Sequence, residues 1–365
     1  MSNYQKTELY SIHKKLNAKL VPFSGFWMPL QYSSIVKEHH HVRSSCGLFD
    51  VSHMGEFIVH GKNSEKFIQK VTTNDVSKLS PGKVQYSVFC NHSGGIIDDL
   101  LIYNLGSHYM LVVNASNIEK NFKWLKSNLI EDVSIVDKSD QISLLALQGP
   151  DSQKFLQKLY PDILKLKYYE TLLPDSEKVV VARTGYSGEL GFEIYAPNSK
   201  IVEIWNDLLS ISKDIHPVGL GCRDSLRLEM GYCLYGNELN EEINTVEAGL
   251  SWITKYDTDF IGSQNIKDNV SKKLIAISSE ERAIPRSGYK LYSTQKKEIG
   301  IISSGGMSPS LKKGIALAYV DIDFKNDREF LVGIRDKFFT FNKTKLPFYK
   351  DGTYLKWQIR LEFKL

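Results

Sequence analysis

One order of elements occurs twice in this chain, and the repetition limits its fold more than any single motif does. Residues 55–136 open with a strand-like run, GEFIVHG, then NSEKFIQKV, whose Phe67, Ile68 and Val71 fall at helical spacing. VQYSVFC and IIDDLLIYN read as strands joined by NHSGG, a strong hairpin signal. YMLVVN is another strand, and Ile118, Phe122, Leu125 and Leu129 then mark one face of a helix before VSIV closes the unit. From Gln141 a similar order follows. ISLLALQG is a strand, PDSQKFLQKL a helix opened by proline, and VVVART and GFEIYA are strands around the turn GYSGE. IVEIWNDLL then carries Ile201, Ile204, Trp205 and Leu208 on one helical face. Strand, helix, strand, strand, helix, strand is the ferredoxin-like order. The pattern changes near Lys273: LIAISS, YKLYS, IGIISSGG, GIALAYVD, FLVGI and FFTF are short β-type runs between turn residues, as in a small all-β barrel or sandwich. The polar stretch 263–272 reads as the linker. An α+β chain of two or three domains results, as 365 residues require.

Charge and cysteine content exclude several classes. The 46 basic and 42 acidic residues are spread along the chain, and no basic block suggests nucleic acid or a membrane surface. Cys46, Cys90, Cys222 and Cys233 form no CxxC pair, which fits a reducing compartment. The start MSNYQKTELY lacks the apolar core of a secretion signal, and no apolar run reaches membrane-span length. A cytoplasmic protein is the expectation.

Two acids stand where apolar residues would cost less. In IIDDLLIYN, alternation puts Asp98 with Ile96, Leu100 and Ile102, and Asp99 with Ile97, Leu101 and Tyr103. A strand apolar on both sides is covered on both sides, and an unpaired carboxylate there costs on the order of several kcal/mol. Either these aspartates cap the adjacent turn or lie beyond the end of the buried stretch, or one serves chemistry. Facing opposite ways, they do not act as a pair on one ligand. Glu193 lies between Phe192 and Ile194 of RTGYSGELGFEIY; a solvent-facing glutamate is the commoner outcome, but a carboxylate in a pocket would suit an aminopyrimidine edge. Arg223 and Arg227 of GLGCRDSLRLEMGYCLYGNEL share a helical face and suit either a carboxylate ligand or ion pairs with Asp224 or Glu229. Glu38, His39, His40 and His41 are consecutive on a helix and fan outward, so a solvated helix is expected over a metal site. Cys90 and Cys222 lack a local histidine and read as buried thiols. No P-loop or GxGxxG occurs, and GYSGE lacks the spacing of a nucleophile elbow.

Seven blocks taken in order, FDVSHMGE, TNDV, YSVFCNHSGGIIDDLLIY, ALQGP, RTGYSGELGFEIY, GLGCRDSLRLEMGYCLYGNEL and SPSLKKGIALAYV, closely resemble the T-protein family of the glycine cleavage system. The likeness runs from about Leu9 to Tyr349. It implies a three-domain cloverleaf around a central channel for tetrahydrofolate. Residues 1–54 and 137–255 would form the folate-binding domain, 55–136 an inserted ferredoxin-like domain, and 273–365 the barrel. It also implies an aminomethyltransferase of glycine catabolism, served by a lipoylated H-protein and using no metal. By motif, Asp99 matches the catalytic acid, while Met54, Tyr86 and Tyr103 match pocket walls. Asn114 and Tyr186 match polar ligand contacts, Glu193 the group holding the pterin, and Arg223 a folate-site arginine. Ser187 replaces the usual threonine, Cys222 an alanine, and GGMSPS a glycine-x-phenylalanine form. Tyr354, Lys356 and Arg360 compete for a contact to the folate tail. Two relatives of the fold are alternatives. Folate-linked demethylases often differ around IIDD and SHMG. The folate-binding proteins of iron–sulfur assembly carry a reactive cysteine in a KGCYxGQE-like motif, absent at Thr184–Tyr186. A protein that only docked the lipoyl carrier would not need Asp99 or Glu193.

Overall fold

A computed structural model of the chain describes residues 4–174, 179–267 and 269–354. Two sheets sit back to back, and both repeats are present, the first with one strand and the second with two strands more than the ferredoxin order requires. In the first, Gly55–His60, Ile96–Asn104, Tyr109–Val113 and Ser134–Asp137 make the four-strand core, and Val84–Cys90 adds an outer strand beside Ile96–Asn104. The helices Ser64–Val71 and Ile118–Ser127 cover one face, where Phe67, Ile68, Val71 and Leu125 meet Phe57, Val59, Leu100, Ile102 and Leu111.

The second sheet runs in the order 171–172, 180–182, 191–197, 142–148, 46–50, 215–217. The sequence order alone would pair Ile215–Pro217 with Ile142–Gln148. Instead Cys46–Asp50 lies between them, antiparallel to the first repeat strand and parallel to the last. The chain thus completes part of this sheet, builds the whole 55–137 unit, and returns. Trp205, Ile201 and Leu208 of the helix Asn198–Ile211 close its outer face over Leu145, Leu147, Phe192 and Ile194. Its inner face, with Phe49, Leu144, Ala146 and Tyr195, packs on Tyr103, Met110 and Val112 of the first sheet. Burial of this seam, at about 25 cal/mol per Å² of apolar surface, holds the two units together.

The C-terminal strands form a closed barrel in the order 272–279, 314–321, 298–307, 290–292, 329–334, 337–344, so the expected all-β unit is a barrel and not a sandwich. The segment read as a linker is no free tether. Ile266 is fully buried beside Cys90 and Ile96, and the Asn265 amide donates to the His92 carbonyl.

Polar groups lock the three parts together. Glu229 is fully buried and accepts from Arg43, His39, Ser308 and Ser310, joining two helices to the barrel. Arg227 pairs with Asp224 and with buried Glu238, whose other oxygen accepts from Ser303 of the barrel. Arg227 is therefore structural, and its partners are Asp224 and Glu238, not Glu229. The solvated-helix expectation fails at two of its four residues. Glu38 accepts the backbone N–H of Tyr32, Ser33 and Gly219, and His39 is fully enclosed; His41 stacks on His216 at 3.6 Å. The four side chains do diverge.

Among the described residues, one buried acid has no hydrogen-bond partner on either oxygen. Glu56 is fully enclosed and neither carboxyl oxygen meets a donor; burial, then the Asp137 charge, push its proton affinity well up. A raised folded-state pKa gives stability that is complete below the ordinary carboxylate range and is lost as pH rises above it. Glu56→Gln is expected to match the native stability near pH 4 and exceed it increasingly toward pH 8 in urea unfolding. A constant difference across that range would remove the assignment.

Candidate active site

The acid strand bulges at its start, and the bulge decides which groups meet. Its register against Val84–Cys90 shifts between Phe89 and Cys90. Ile96 accordingly packs with Val88 and Cys90, whereas Ile97 packs with Leu100 under the helices. Strict alternation had these two reversed. From Asp98 onward it holds: Asp98 turns toward the helix Ile118–Ser127, and Asp99 shares the inner face with Tyr103.

Neither aspartate caps the NHSGG turn; Asn91 does, accepting from the backbone of Ser93 and Gly95. Asp98 is fully buried. Its Oδ1 accepts from the amides of Asn114 and Asn117, each at 2.8 Å, and its Oδ2 from Asn121 and from the Asn114 backbone N–H. Asp99 is partly exposed. The Tyr86 hydroxyl donates to its Oδ2 at 3.0 Å and the Asn114 amide to its Oδ1 at 2.8 Å. One amide nitrogen thus serves both acids, although they leave the strand on opposite faces. Burial raises the proton affinity of Asp99, and the Tyr86 and Asn114 hydrogen bonds counter it.

Tyr86 is itself held from behind. Asn74 of TNDV donates to its carbonyl at 2.9 Å, and Trp252 stacks on its ring with centroids 6.0 Å apart. Trp252 is 62% exposed, so a broad indole borders the acid from the solvent side. Sequence reading passed over it, because no motif sets Trp252 apart from the chain's other tryptophans. Asn117 and Asn121 were passed over too; Asn117 precedes the helix Ile118–Ser127 and Asn121 lies in its first turn.

Glu193 lies deeper. It is 5% exposed, which overturns the commoner solvent-facing outcome, and the Thr184 hydroxyl donates to its Oε2 at 2.5 Å. Tyr103 is wholly buried near it, its hydroxyl 2.7 Å from that of Tyr195. Gln148 of ALQGP sets this region, donating to the carbonyls of Thr184 and Phe192 and accepting from Ser187. A Cβ at Gly185 would lie 2.1 Å from the Gln148 side chain and one at Gly191 2.3 Å from it, so both positions need glycine for this approach.

Between the two acids runs an aromatic wall. The Tyr186 hydroxyl donates to the Cys233 carbonyl, its ring lies 5.7 Å from that of Tyr232, and the Arg223 guanidinium sits 4.6 Å from its ring centroid. Charges at both Asp99 and Arg223 act on Tyr186, which joins the Asp99 end to this wall. Met54 packs in the cluster that contains Tyr103 and Leu101. Tyr354 packs at a tilt against Tyr168 with ring centroids 5.3 Å apart, placing the C-terminal segment beside the wall; Lys356 and Arg360 lie outside the described residues. All four cysteines are free, with Cys90 and Cys222 buried as expected.

Two family models match in tandem: the GCVT N-terminal domain over residues 9–258 and the glycine cleavage T-protein C-terminal barrel domain over 272–350. The chain belongs to the glycine cleavage T-protein family. The aminomethyltransferase of Flavobacterium psychrophilum is 46% identical over 358 residues, 95% of this chain and 99% of that protein. That of Halothermothrix orenii is 45% identical over 94% of this chain and 99% of its own length. The crystal structure of glycine cleavage system aminomethyltransferase T from Bartonella henselae superposes with a TM-score of 0.90 at 30% identity, covering 96% and 99% of the two chains. This T-protein family member is accordingly a transferase enzyme with the three-part fold the motifs implied. No helix among its described residues is long and apolar enough to cross a membrane.

Proposed function

We propose that this enzyme moves the methylene of an aminomethyl group from the lipoyl arm of H-protein to tetrahydrofolate. The products are 5,10-methylenetetrahydrofolate, ammonia and the dihydrolipoyl carrier. Two C–N bonds form, at N5 and N10 of the folate, while the C–S and C–NH3 bonds break. The two N–H protons displaced from folate end on the carrier sulfur and on ammonium, so the exchange balances without an oxidant.

The observation that carries this reading is a pair of acids in contrasting settings along one tyrosine-lined path. Glu193, buried with an oxygen beyond the one Thr184 occupies, suits the adjacent N–H donors of a pterin's aminopyrimidine edge. Asp99, partly exposed and fixed by Tyr86 and Asn114, suits the nitrogens that lose protons. Tyr103, Met54, Tyr186 and Arg223 would line the span between them, and the sheet 46–217 would be the folate-binding unit. Holding folate and arm in register supplies much of the rate, because two large reactants must meet aligned. Action in the cytoplasm beside H-protein is part of the same reading.

The test supplies aminomethylated H-protein and tetrahydrofolate and follows ammonia and methylenetetrahydrofolate together. Equal amounts of both, dependent on folate, are expected; formation of neither with an intact carrier would defeat the proposal. Glu193→Ala is expected to weaken folate binding by about tenfold or more, the worth of a charge-assisted hydrogen bond. Native affinity by calorimetry would remove Glu193 from the pterin end.

A further inference from the structure

Asp98 is the buried charge that the transfer reaction does not use, and it is the most heavily bonded carboxylate near the site. Four N–H donors reach it, two on each oxygen: three asparagine amides and the Asn114 backbone N–H. A protonated carboxyl needs one of those places for its own hydrogen, so the cage fits the anion. Burial, then the Asp99 charge, raise its carboxyl to about 7 against the pull of the Asn114, Asn117 and Asn121 amides, so the four donors hold the anion above that pH. Asp99 is different: it accepts only two side-chain bonds and is partly open, which leaves room for a proton.

We propose that Asp98 is a positioning residue for the reaction. Held as an anion by the asparagine cage, it aims the Asp99 carboxylate through the shared Asn114 amide and strengthens Asp99 as a proton acceptor. A fixed negative charge beside Asp99 makes ionisation of Asp99 harder, so its carboxylate binds a proton more firmly when one is offered. The other groups facing the pair are Tyr86 from the neighbouring strand, Tyr186 from the GYSGE turn, and Cys233, Tyr235 and Glu238 from the loop after the Leu220–Met230 helix. Lys120, the nearby cation on the Ile118–Ser127 helix, is engaged by Tyr235 and Glu241. No ion pair in the described structure neutralises Asp98, so its charge reaches Asp99 through the bridging amide.

The inference rests on Asp99 being the reacting acid, and the test separates the two. The pH profile of kcat/KM is measured for the wild type, Asp98→Asn and Asp99→Asn, with folate affinity determined in parallel. Asp98→Asn is expected to keep folate affinity within about threefold and to move the acid limb to lower pH by about one unit or more, because the neighbouring charge is gone. A uniform loss of rate with an unmoved limb would show a purely structural role and overturn the inference. If Asp98→Asn fails to fold, Asn121→Ala serves. The Asn121 amide donates to Asp98 and touches no other site group, so its loss disfavours the anion and shifts the limb the same way by less. An unmoved limb there overturns the inference equally. Full turnover by Asp99→Asn would instead remove the reading beneath it.

Discussion

Asp99→Asn is expected to cut turnover with aminomethylated H-protein by at least about a hundredfold while folate still binds, the usual scale for a lost acid–base group. The geometry explains why binding and rate should separate. Asp99 stands at the end of the tyrosine wall away from Glu193, and the two groups that hold it, Tyr86 and Asn114, are retained in the variant. An asparagine at 99 has nearly the same shape, so the entrance should not collapse. It cannot take a proton, and one side of its amide turns a donor toward the Tyr86 hydroxyl or the Asn114 amide. Steady-state ammonia release together with calorimetric folate binding checks both halves. Loss of binding in step with rate would instead make Asp99 a binding residue.

The second large effect concerns stability. Glu229→Gln is expected to lose about 3–5 kcal/mol, because it removes one of the two buried carboxylates that answer the Arg43 cation. Arg43 reaches Glu229 at 2.9 Å with both side chains almost wholly enclosed, and only Glu189 would remain to answer it. Burial alone would raise the Glu229 carboxyl. The His39 hydrogen bond and charge, the Arg43 charge and the Ser308 hydroxyl together outweigh that and hold it at about 2. A depressed folded-state pKa means the stabilisation is present above the ordinary glutamate range and is lost as pH falls through about 2. Urea unfolding should therefore show a gap between wild type and variant that is full at pH 7 and shrinks on acidification from about pH 4.5. The effect reaches the site as well. Arg43 also lies 4.3 Å over the Tyr349 ring, and Glu189 accepts from Thr353, so this cluster fixes the segment that carries Tyr354 to Tyr168.

Much of this was legible in the sequence because periodicity reports local geometry. The helices over 64–71, 118–127 and 198–211 and the strands flanking NHSGG follow their apolar spacing closely. What the pattern could not carry was any long-range insertion: nothing local in CGLFD says that it enters between strands a hundred and more residues later. Alternation failed at Ile96 and Ile97 because a bulge adds a residue to one strand without marking the sequence. The site divided in the same way. Asp99, Tyr86 and Asn114 come together by hydrogen bonds, and Tyr186 and Arg223 by ring contact. The setting of Glu193 depends on Gln148, distant in sequence, packing against Gly185 and Gly191 of its own segment, so residue type alone pointed the other way. Asp98 was legible as an expensive acid, but its cage was not, since asparagines on a helix ordinarily face water.

The most direct measurement is a crystal structure of the enzyme with tetrahydrofolate bound. The aminopyrimidine edge is expected on the Glu193 carboxylate and N5 and N10 near Asp99, with the span between them lined by Tyr103, Met54, Tyr186 and Arg223. Folate bound elsewhere, or reversed so that its pterin meets Asp99, would contradict it.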